Sequence, residues 1–218
     1  MVMRMSSEMD KIYRKTPLNE IPWNIDIPPN QLVELVDSGK VKPCKTIDLG
    51  CGIGNYAVYL ASRGFGVTGI DVSTTAINIA KDNATKKGLK CDFIVADVLG
   101  DLCEVKETFD FAFEWELLHH IFPEHRRKYV GNVYKLLNPG SVYLSVCFSE
   151  KDSEFGGSGN YRVTGLGTVL YFSSEHELRK LFEPFFKIRE LKTIEIKGRP
   201  KSHFANYAFM ERRGRVLL

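Results

Sequence analysis

The sequence lacks the long apolar runs that a membrane-spanning helix needs. No run approaches about 20 residues, and the first eight residues hold no apolar stretch of the kind that begins a secretory signal. We therefore expect a cytoplasmic protein that does not enter membranes. Hydrophobic residues make up 44% of the 218 residues and charged residues 26%. These values suit one globular domain with a substantial core and exclude a disordered tail.

Closely spaced cysteines are also absent. The five cysteines are an odd number, and no two of them form a C-x-x-C pair. Zinc ribbons and redox-active disulfides need such spacing, so we expect free thiols in a reducing compartment and no metal site.

Excess positive charge is confined to the C-terminal region. Residues 187–218 hold nine Lys/Arg and three Asp/Glu, whereas the rest of the chain holds 21 Lys/Arg and 24 Asp/Glu. A basic strip of this kind can bind a polyanion, but most of the chain is faintly acidic. We therefore favour a solvated surface over a nucleic-acid partner.

Short β-branched runs alternate with helical segments over the first two thirds of the chain. This alternation predicts a parallel sheet with helices on both of its faces. Ser73 is placed to cap one of the helices, and Pro123 to begin another. The predicted strands of this part are residues 45–49, 67–72, 91–98, 109–113 and 142–148.

The C-terminal part departs from this alternation. After a helix predicted for 175–182, strands at 188–196 and 204–210 are joined by too few residues for a helix, so the two must be antiparallel. We expect an α/β fold with a doubly wound, seven-stranded, mostly parallel sheet that ends in this hairpin. The glycine-rich stretch 149–171 is interpreted as a flap over a site, the alternative being a poorly packed insertion.

The candidate binding residues lie at the ends of the predicted strands. In an open parallel sheet, ligands bind beyond the carboxyl ends of the strands. The first strand leads into the loop 48–54, whose glycines let the backbone turn tightly and approach a ligand. Asp71 ends the second strand, where a carboxylate can accept both ribose hydroxyls, and Asp97 ends the third.

The glycine loop does not fit a dinucleotide. The G-x-G-x-x-G fingerprint requires glycine at position 55, and the chain has Asn55. Asp48, two residues before Gly50, is poorly suited to a diphosphate but well suited to a cationic ligand. Adenosine joined to a positively charged amino-acid portion fits better, and S-adenosylmethionine has that composition.

Four segments resemble the successive motifs of the class I S-adenosylmethionine-dependent methyltransferases. The resemblance covers about residues 45–148, and the terminal hairpin agrees with the sheet of that family. It implies a methyltransferase fold with S-adenosylmethionine as methyl donor. The segments are Asp48-x-Gly50-x-Gly52-x-Gly54, Gly69-Ile70-Asp71-Val72-Ser73, Ala96-Asp97-Val98 and Leu136-Leu137-Asn138-Pro139-Gly140.

The same resemblance implies roles for single residues. Glu114, at the end of the fourth strand, is implied near the sulfonium, although Trp115 and Glu116 are equally placed to face the cavity. A tight turn and a helix cap are the alternatives for the glycines and for Asp71. The other implied cofactor residues are Gly50, Gly52 and Gly54 at the methionine and ribose, with Asp48 beside them, Asp71 and Val72 at the ribose, and Asp97 and Val98 at the adenine.

A weaker resemblance lies upstream of the loop. The segment 21–29 is similar to the entry segment of thiopurine and thiol methyltransferases, in which a Pro-Trp-acid stretch packs on the cofactor. Asn24 stands where that group has an acid. Trp23 is therefore expected either to bind the cofactor or to anchor the N-terminal segment on the core. Residues 1–40 are expected to cover the cofactor site and residues 41–218 to form the methyltransferase domain.

Candidate catalytic bases follow the fourth strand. His119, His120 and Glu116 can each take a proton from an oxygen, nitrogen or sulfur nucleophile. Histidines bonded only to the backbone are the alternative. We expect methyl transfer to a small-molecule acceptor, with a thiol or another soft nucleophile among the candidates. RNA or protein methylation through the basic strip, and a sensor that binds the nucleoside without transfer, are the competing hypotheses; the oligomeric state is left open.

Overall fold

Helices and strands alternate along most of the chain. The computed structural model describes the backbone of residues 2–7 and all atoms of residues 8–155, 159–198 and 201–214. No helix in these ranges combines the length and the apolar composition needed to cross a bilayer. The elements are α1 (Val2–Lys15), α2 (Asn30–Asp37), β1 (Lys45–Leu49), α3 (Asn55–Ser62), β2 (Gly66–Asp71), α4 (Thr74–Lys86), β3 (Cys91–Val95), β4 (Phe109–Trp115), α5 (Pro123–Leu136), β5 (Leu137–Phe148), β6 (Tyr161–Val163), β7 (Val169–Tyr171), α6 (Glu175–Phe182), β8 (Phe186–Ile196) and β9 (His203–Arg212).

Seven of the strands form one mostly parallel sheet. Their order is β3-β2-β1-β4-β5-β9-β8, so the strand order reverses between β1 and β4, as in a doubly wound fold. β1 pairs with β2, and β2 with β3, in parallel, whereas β9 is antiparallel to both β5 and β8. The predicted α/β class, sheet and terminal hairpin are confirmed.

Several boundaries differ from those predicted. β3 ends at Val95, because the Asp97 carboxylate accepts the Leu99 N–H at 2.8 Å and closes a turn there. β5 begins at Leu137, directly after α5, and therefore includes the Asn138-Pro139-Gly140 segment predicted as a turn. The stretch 149–171 contains a second, two-stranded sheet in which β6 pairs antiparallel with β7.

The chain divides into two compact units, Met1–Phe111 and Ala112–Leu218. In the first unit, α1 contributes Tyr13 to a buried cluster with Ile21, Ile53 and Ala76. Ser73 caps α4 as predicted, since its hydroxyl accepts the Ala76 N–H at 3.0 Å. A cap of this kind stabilises a helix by about 1 kcal/mol. The proposed covering segment, residues 1–40, lies within this unit.

The second unit has an aromatic core. The Tyr129 and Tyr143 hydroxyls share a hydrogen bond of 3.0 Å, and the Tyr143 ring packs edge-on against Phe182 of α6 at 5.9 Å. Helix α6 begins with a capping box, in which Ser174 and Glu177 each bind the other's backbone N–H. All five cysteines of the chain are free thiols, as expected.

Candidate functional site

The loop after β1 has the backbone that its glycines permit. Gly50, Gly52 and Gly54 have φ angles of +72°, +52° and +78°, a region that other residues rarely enter. The N–H groups of Gly50 and Cys51 both donate to the Ile70 carbonyl oxygen, at 2.8 and 2.9 Å, and fix the loop to β2.

Two of these glycines are also required by their neighbours. A Cβ atom on Gly54 would lie 2.8 Å from the Phe93 ring and 2.9 Å from Ala80, so this glycine lets the loop pack against β3 and α4. A Cβ on Gly52 would lie 2.7 Å from the Tyr13 hydroxyl oxygen of α1. Gly52 therefore faces the N-terminal segment.

Asp71 lies at the end of β2, beside the loop. Its Oδ2 accepts the Gly52 N–H and its Oδ1 accepts the Ser73 N–H, both at 2.9 Å. Burial raises the pKa of Asp71, and these backbone donors oppose that effect. A carboxylate has about four acceptor positions, so the Asp71 carboxylate can still accept a hydrogen bond from a ligand hydroxyl. Val72, the next residue, is half-buried.

The remaining cofactor residues of this unit are at or near strand ends. Asp48 is buried in β1 at the start of the loop. Asp97 is half-buried, with one carboxylate oxygen engaged by the Leu99 N–H, and Val98 beside it is buried. This arrangement is compatible with the predicted adenine contact.

The N-terminal segment provides Tyr13 and Asn24, which sequence analysis did not predict, beside the predicted Trp23. Trp23 is half-buried, and its indole N–H donates to the Tyr13 hydroxyl at 2.9 Å. The Asn55 side-chain N–H donates to Asn24 Oδ1 at 3.0 Å and to the Ile25 carbonyl at 3.2 Å. These bonds fix the Trp23 segment to the first turn of α3. The sequence held one indication of these bonds. Asparagine stands at position 24, where the thiopurine and thiol methyltransferases have an acid, and at position 55, where a dinucleotide fingerprint has glycine.

Helix α1 is anchored next to Asp71. Asp10 Oδ1 accepts the Thr75 N–H and the Ser73 hydroxyl hydrogen, each at 2.9 Å, and so adds a second cap to α4. The backbone hydrogen bond from Thr75 is the main cause that lowers the pKa of Asp10. A negative charge at a helix N-terminus also interacts favourably with the helix dipole.

In the second unit, Glu114 is fully buried in β4. Its carboxylate accepts the Ser145 hydroxyl hydrogen and the N–H groups of Leu117 (2.7 Å) and Leu118 (3.2 Å). Burial raises the pKa of Glu114 to about 7. These bonds hold the turn after β4, which favours a structural role for Glu114 over the implied cofactor contact.

Glu116 has a different environment from Glu114. Its φ is +70°, and its half-buried carboxylate has no hydrogen-bond or ion-pair partner among the residues that the structure describes. Burial, together with the charge of Glu114, raises the pKa of Glu116 to about 8. A residue other than glycine in this backbone region costs about 1–2 kcal/mol and is often found at functional sites.

The two histidines after β4 are uncharged near neutral pH. His119 is buried, accepts the Phe148 N–H on Nδ1 at 3.4 Å and stacks on the Phe148 ring at 4.2 Å. Burial lowers the pKa of His119 well below its ordinary value and that of His120 to about 4. His119 therefore matches the expectation of a histidine bonded to the backbone, while His120 is half-buried.

The glycine-rich stretch is anchored by a buried arginine. The Arg162 guanidinium donates to the carbonyl oxygens of Asp152, of Glu150 at 2.9 Å and of Gly159 at 3.3 Å. Arg162 is therefore not at a solvated tip, whereas Tyr161 is 53% exposed. Residues 156–158 of the predicted flap lie outside the described residues.

Comparison with known proteins finds methyltransferases similar to this chain. Residues 47–140 match the family model of a methyltransferase domain. The 2-heptyl-1-hydroxyquinolin-4(1H)-one methyltransferase of Mycobacteroides abscessus is 29% identical over 171 residues, which cover 78% of this chain and 70% of that protein. The tRNA N(3)-methylcytidine methyltransferase Mettl2 of Drosophila melanogaster is 29% identical over 157 residues, 66% of this chain and 48% of that protein.

A solved structure shows the same fold. The Burkholderia thailandensis 1,6-didemethyltoxoflavin-N1-methyltransferase, with bound 1,6-didemethyltoxoflavin and S-adenosylhomocysteine, aligns with a TM-score of 0.74 and 18% identity. The alignment covers 96% of this chain and 88% of that structure.

Proposed function

Because this chain belongs to the class I S-adenosylmethionine-dependent methyltransferases, we propose that it methylates a small-molecule acceptor whose nucleophilic atom first loses a proton to Glu116. The acceptor we propose is a flat heteroaromatic compound with a weakly acidic O–H or N–H group. The observation that carries this proposal is the carboxylate of Glu116, whose backbone is left-handed and which has no partner among the residues that the structure describes.

Glu116 has the properties of a general base. A base acts best when its pKa lies near the working pH, and burial raises the pKa of Glu116 to about 8. Glu114, two residues earlier, is bonded to three donors and is not free to exchange a proton with a ligand. His120 is a weaker candidate, because a pKa of about 4 makes it a poor base for an acceptor of low acidity.

The buried side chains of the same unit offer little positive charge to an anionic acceptor. Its two buried arginines in the described residues, Arg126 and Arg162, donate to main-chain oxygens. His119 and His120 are neutral, since burial lowers the pKa of both. An acceptor that is neutral when it binds is therefore favoured over a phosphate or a carboxylate.

The two small-molecule relatives support a heteroaromatic acceptor. One is named for a hydroxyquinolone and the other binds 1,6-didemethyltoxoflavin, both of them heterocycles. At 29% and 18% identity, they support the class of acceptor rather than a particular compound.

The reaction needs few groups from the protein. Bound S-adenosylmethionine would supply a methyl group whose bond to the sulfonium sulfur breaks on transfer, with the neutral thioether S-adenosylhomocysteine as the leaving group. In the first unit, the loop at Gly50 and Gly52 would hold the methionine portion and Asp71 would accept the ribose hydroxyls. In the second unit, Glu116 would take the proton from the acceptor O–H or N–H, which frees the electron pair of that atom for the bond to the methyl carbon. Positioning of the two reactants supplies most of the acceleration.

RNA or protein methylation is the second candidate, and the likeness to Mettl2 favours it. The basic strip, however, uses much of its charge within the chain. Arg189 pairs with Glu211, Lys192 pairs with Glu190 at 2.7 Å, and the Arg212 side chain donates to the Tyr134 carbonyl at 3.0 Å. Fewer cations therefore remain for phosphate contacts than the sequence indicates.

The proposal is tested by formation of S-adenosylhomocysteine from S-adenosylmethionine with four separate acceptors. These are 2-heptyl-1-hydroxyquinolin-4(1H)-one, a hydroxypyridine, a small aliphatic thiol and bulk tRNA. We expect turnover with the heterocycles, and a loss of 100-fold or more in Glu116→Gln. Glu124→Gln, the same change at an exposed position of α5, should retain the wild-type rate. Turnover with tRNA alone, or an unchanged rate in Glu116→Gln, would overturn the proposal.

A further inference from the structure

Tyr13 reaches the glycine loop from the N-terminal helix. Its ring packs with Ile21, Ile53 and Ala76, and the whole residue is only 8% exposed. Its hydroxyl oxygen lies 2.7 Å from the position that a Cβ atom on Gly52 would take. The hydroxyl is therefore next to the loop backbone that the sequence motif assigns to the methyl donor.

The Tyr13 hydroxyl has a hydrogen to donate. Its oxygen accepts the Trp23 indole N–H at 2.9 Å, but no described residue accepts its own hydrogen. Burial and the nearby Asp71 carboxylate raise the pKa of Tyr13, so the hydroxyl stays protonated and acts as a donor. A buried donor without an acceptor is unfavourable, and a bound ligand that supplies an acceptor removes that cost.

The charges around the loop indicate which ligand atom is needed. Asp48 and Asp71 suit the ammonium and the ribose hydroxyls of the donor, but neither can bind its carboxylate. In the described part of the first unit, three of the basic side chains, those of Arg14, Lys45 and Arg63, form ion pairs with acidic residues of the same unit. The Tyr13 hydroxyl is a neutral donor beside the loop, and a hydroxyl can donate to a carboxylate.

We propose that the Tyr13 hydroxyl donates a hydrogen bond to the carboxylate of the methionyl portion of the donor. The proposal rests on the placement of that donor at the glycine loop under Proposed function. Asp10 and the Asn24–Asn55 pair are positioning residues, because they fix α1 to α4 and the Trp23 segment to α3. The N-terminal helix then forms part of the donor site.

Calorimetry with two ligands tests this contact without any turnover. S-adenosylhomocysteine carries the carboxylate, whereas 5′-methylthioadenosine keeps the adenosine and sulfur but lacks the amino-acid portion. We expect Tyr13→Phe to bind S-adenosylhomocysteine about tenfold or more weakly than wild type, since a hydrogen bond to a charged group is lost. Binding of methylthioadenosine should change less than twofold.

Tyr59→Phe is the matched control. Its hydroxyl on α3 is also buried and without a hydrogen-bond partner in the described residues, and it lies outside the proposed donor site. This variant should keep both affinities. Thermal melting of Tyr13→Phe near the wild-type temperature would show that the helix remains packed.

Two results would overturn the inference. One is an unchanged affinity of Tyr13→Phe for S-adenosylhomocysteine, and the other is an equal loss for both ligands, which would indicate a contact with the adenosine or a packing effect. A separate variant, Asp71→Ala, tests the donor placement itself: if it binds S-adenosylhomocysteine as wild type does, the placement at the loop is wrong, whatever Tyr13 does.

Discussion

Glu116 shows how a single residue departs from the rules that the rest of the fold obeys. Its backbone is in the left-handed region, its carboxylate has no partner in the described residues, and the buried Glu114 lies two residues away. Each feature lowers the stability of the folded chain. A strained backbone and a carboxyl group without a partner in the described residues are expected together where a residue serves a ligand rather than the fold.

Glycine at this position should stabilise the protein. Glu116→Gly removes the left-handed strain and the buried carboxylate, so we expect the free energy of unfolding to rise by about 1 kcal/mol. Chemical denaturation measures this change. The same substitution at Glu124, in the first turn of α5, places glycine in a helix and should lower stability. A loss of stability in Glu116→Gly would show that the carboxylate supports the fold.

The residues of the proposed donor site differ in how well the sequence predicts them. Asp71 and the three glycines were accessible, because a strand end and a fixed spacing define their positions. Tyr13 and the Asn24–Asn55 pair were not. Asn24 and Asn55 are 31 residues apart, and no periodicity links a helical tyrosine to a distant loop. Side-chain pairs that form only after folding leave no local pattern.

At the scale of elements, the stretch 149–171 is held by buried polar contacts. Arg162 lies 3.9 Å from the Asp152 carboxylate, stacks over the Phe172 ring at 4.2 Å and donates to three main-chain carbonyls. Asp152 in turn accepts the Phe204 N–H at 2.8 Å. The stretch is therefore fixed at its base to the start of β9.

Removal of this arginine should cost much more than removal of a surface cation. Arg162→Ala removes the cation beside the buried Asp152 carboxylate and the donor to three carbonyls, so we expect the free energy of unfolding to fall by about 3 kcal/mol. Lys151→Ala, which breaks the exposed pair with Glu175, should cost less than about 1 kcal/mol. Equal losses in the two variants, measured by urea unfolding, would contradict the anchoring role.

Element types were more predictable than element ends. Alternation of β-branched runs with helical spacing predicted the strands of the main sheet, and Ser73 and Pro123 predicted two helix starts. The hairpin of β6 and β7 was not predicted, because its glycine-rich sequence resembles a loop. Its stability comes from Arg162 and Leu170, which are paired and buried, a tertiary effect that composition does not show.

At the scale of the whole molecule, buried titratable groups give opposite pH dependences of stability. Burial lowers the pKa of His119 and His120, so the unfolded chain binds more protons between about pH 4 and 6.5, and the contribution of the histidines to stability rises over that range. Burial raises the pKa of Glu114 from 4.5 to about 7 and that of Glu116 from 4.5 to about 8, so the folded chain binds more protons in these ranges and the contribution of the glutamates falls. Above pH 6.5 the histidine contribution is complete and that of the glutamates still falls, so stability should fall.

This fall should depend on Glu116. Between pH 6.5 and 8, we expect the free energy of unfolding of the wild type to fall by about 1 kcal/mol more than that of Glu116→Gln. Urea unfolding at the two pH values measures the difference. The same decrease in both proteins would show that the pKa of Glu116 is not raised in the folded state.

The pH dependence of kcat/KM in the wild type and in Glu116→Gln, with one heteroaromatic acceptor, tests directly whether Glu116 is the general base. The wild-type value should rise about tenfold per pH unit and level off near pH 8, where Glu116 loses its proton. Glu116→Gln should be slower by 100-fold or more and should retain only the ionisation of the acceptor itself. Profiles of the same shape and height in both proteins would contradict the account.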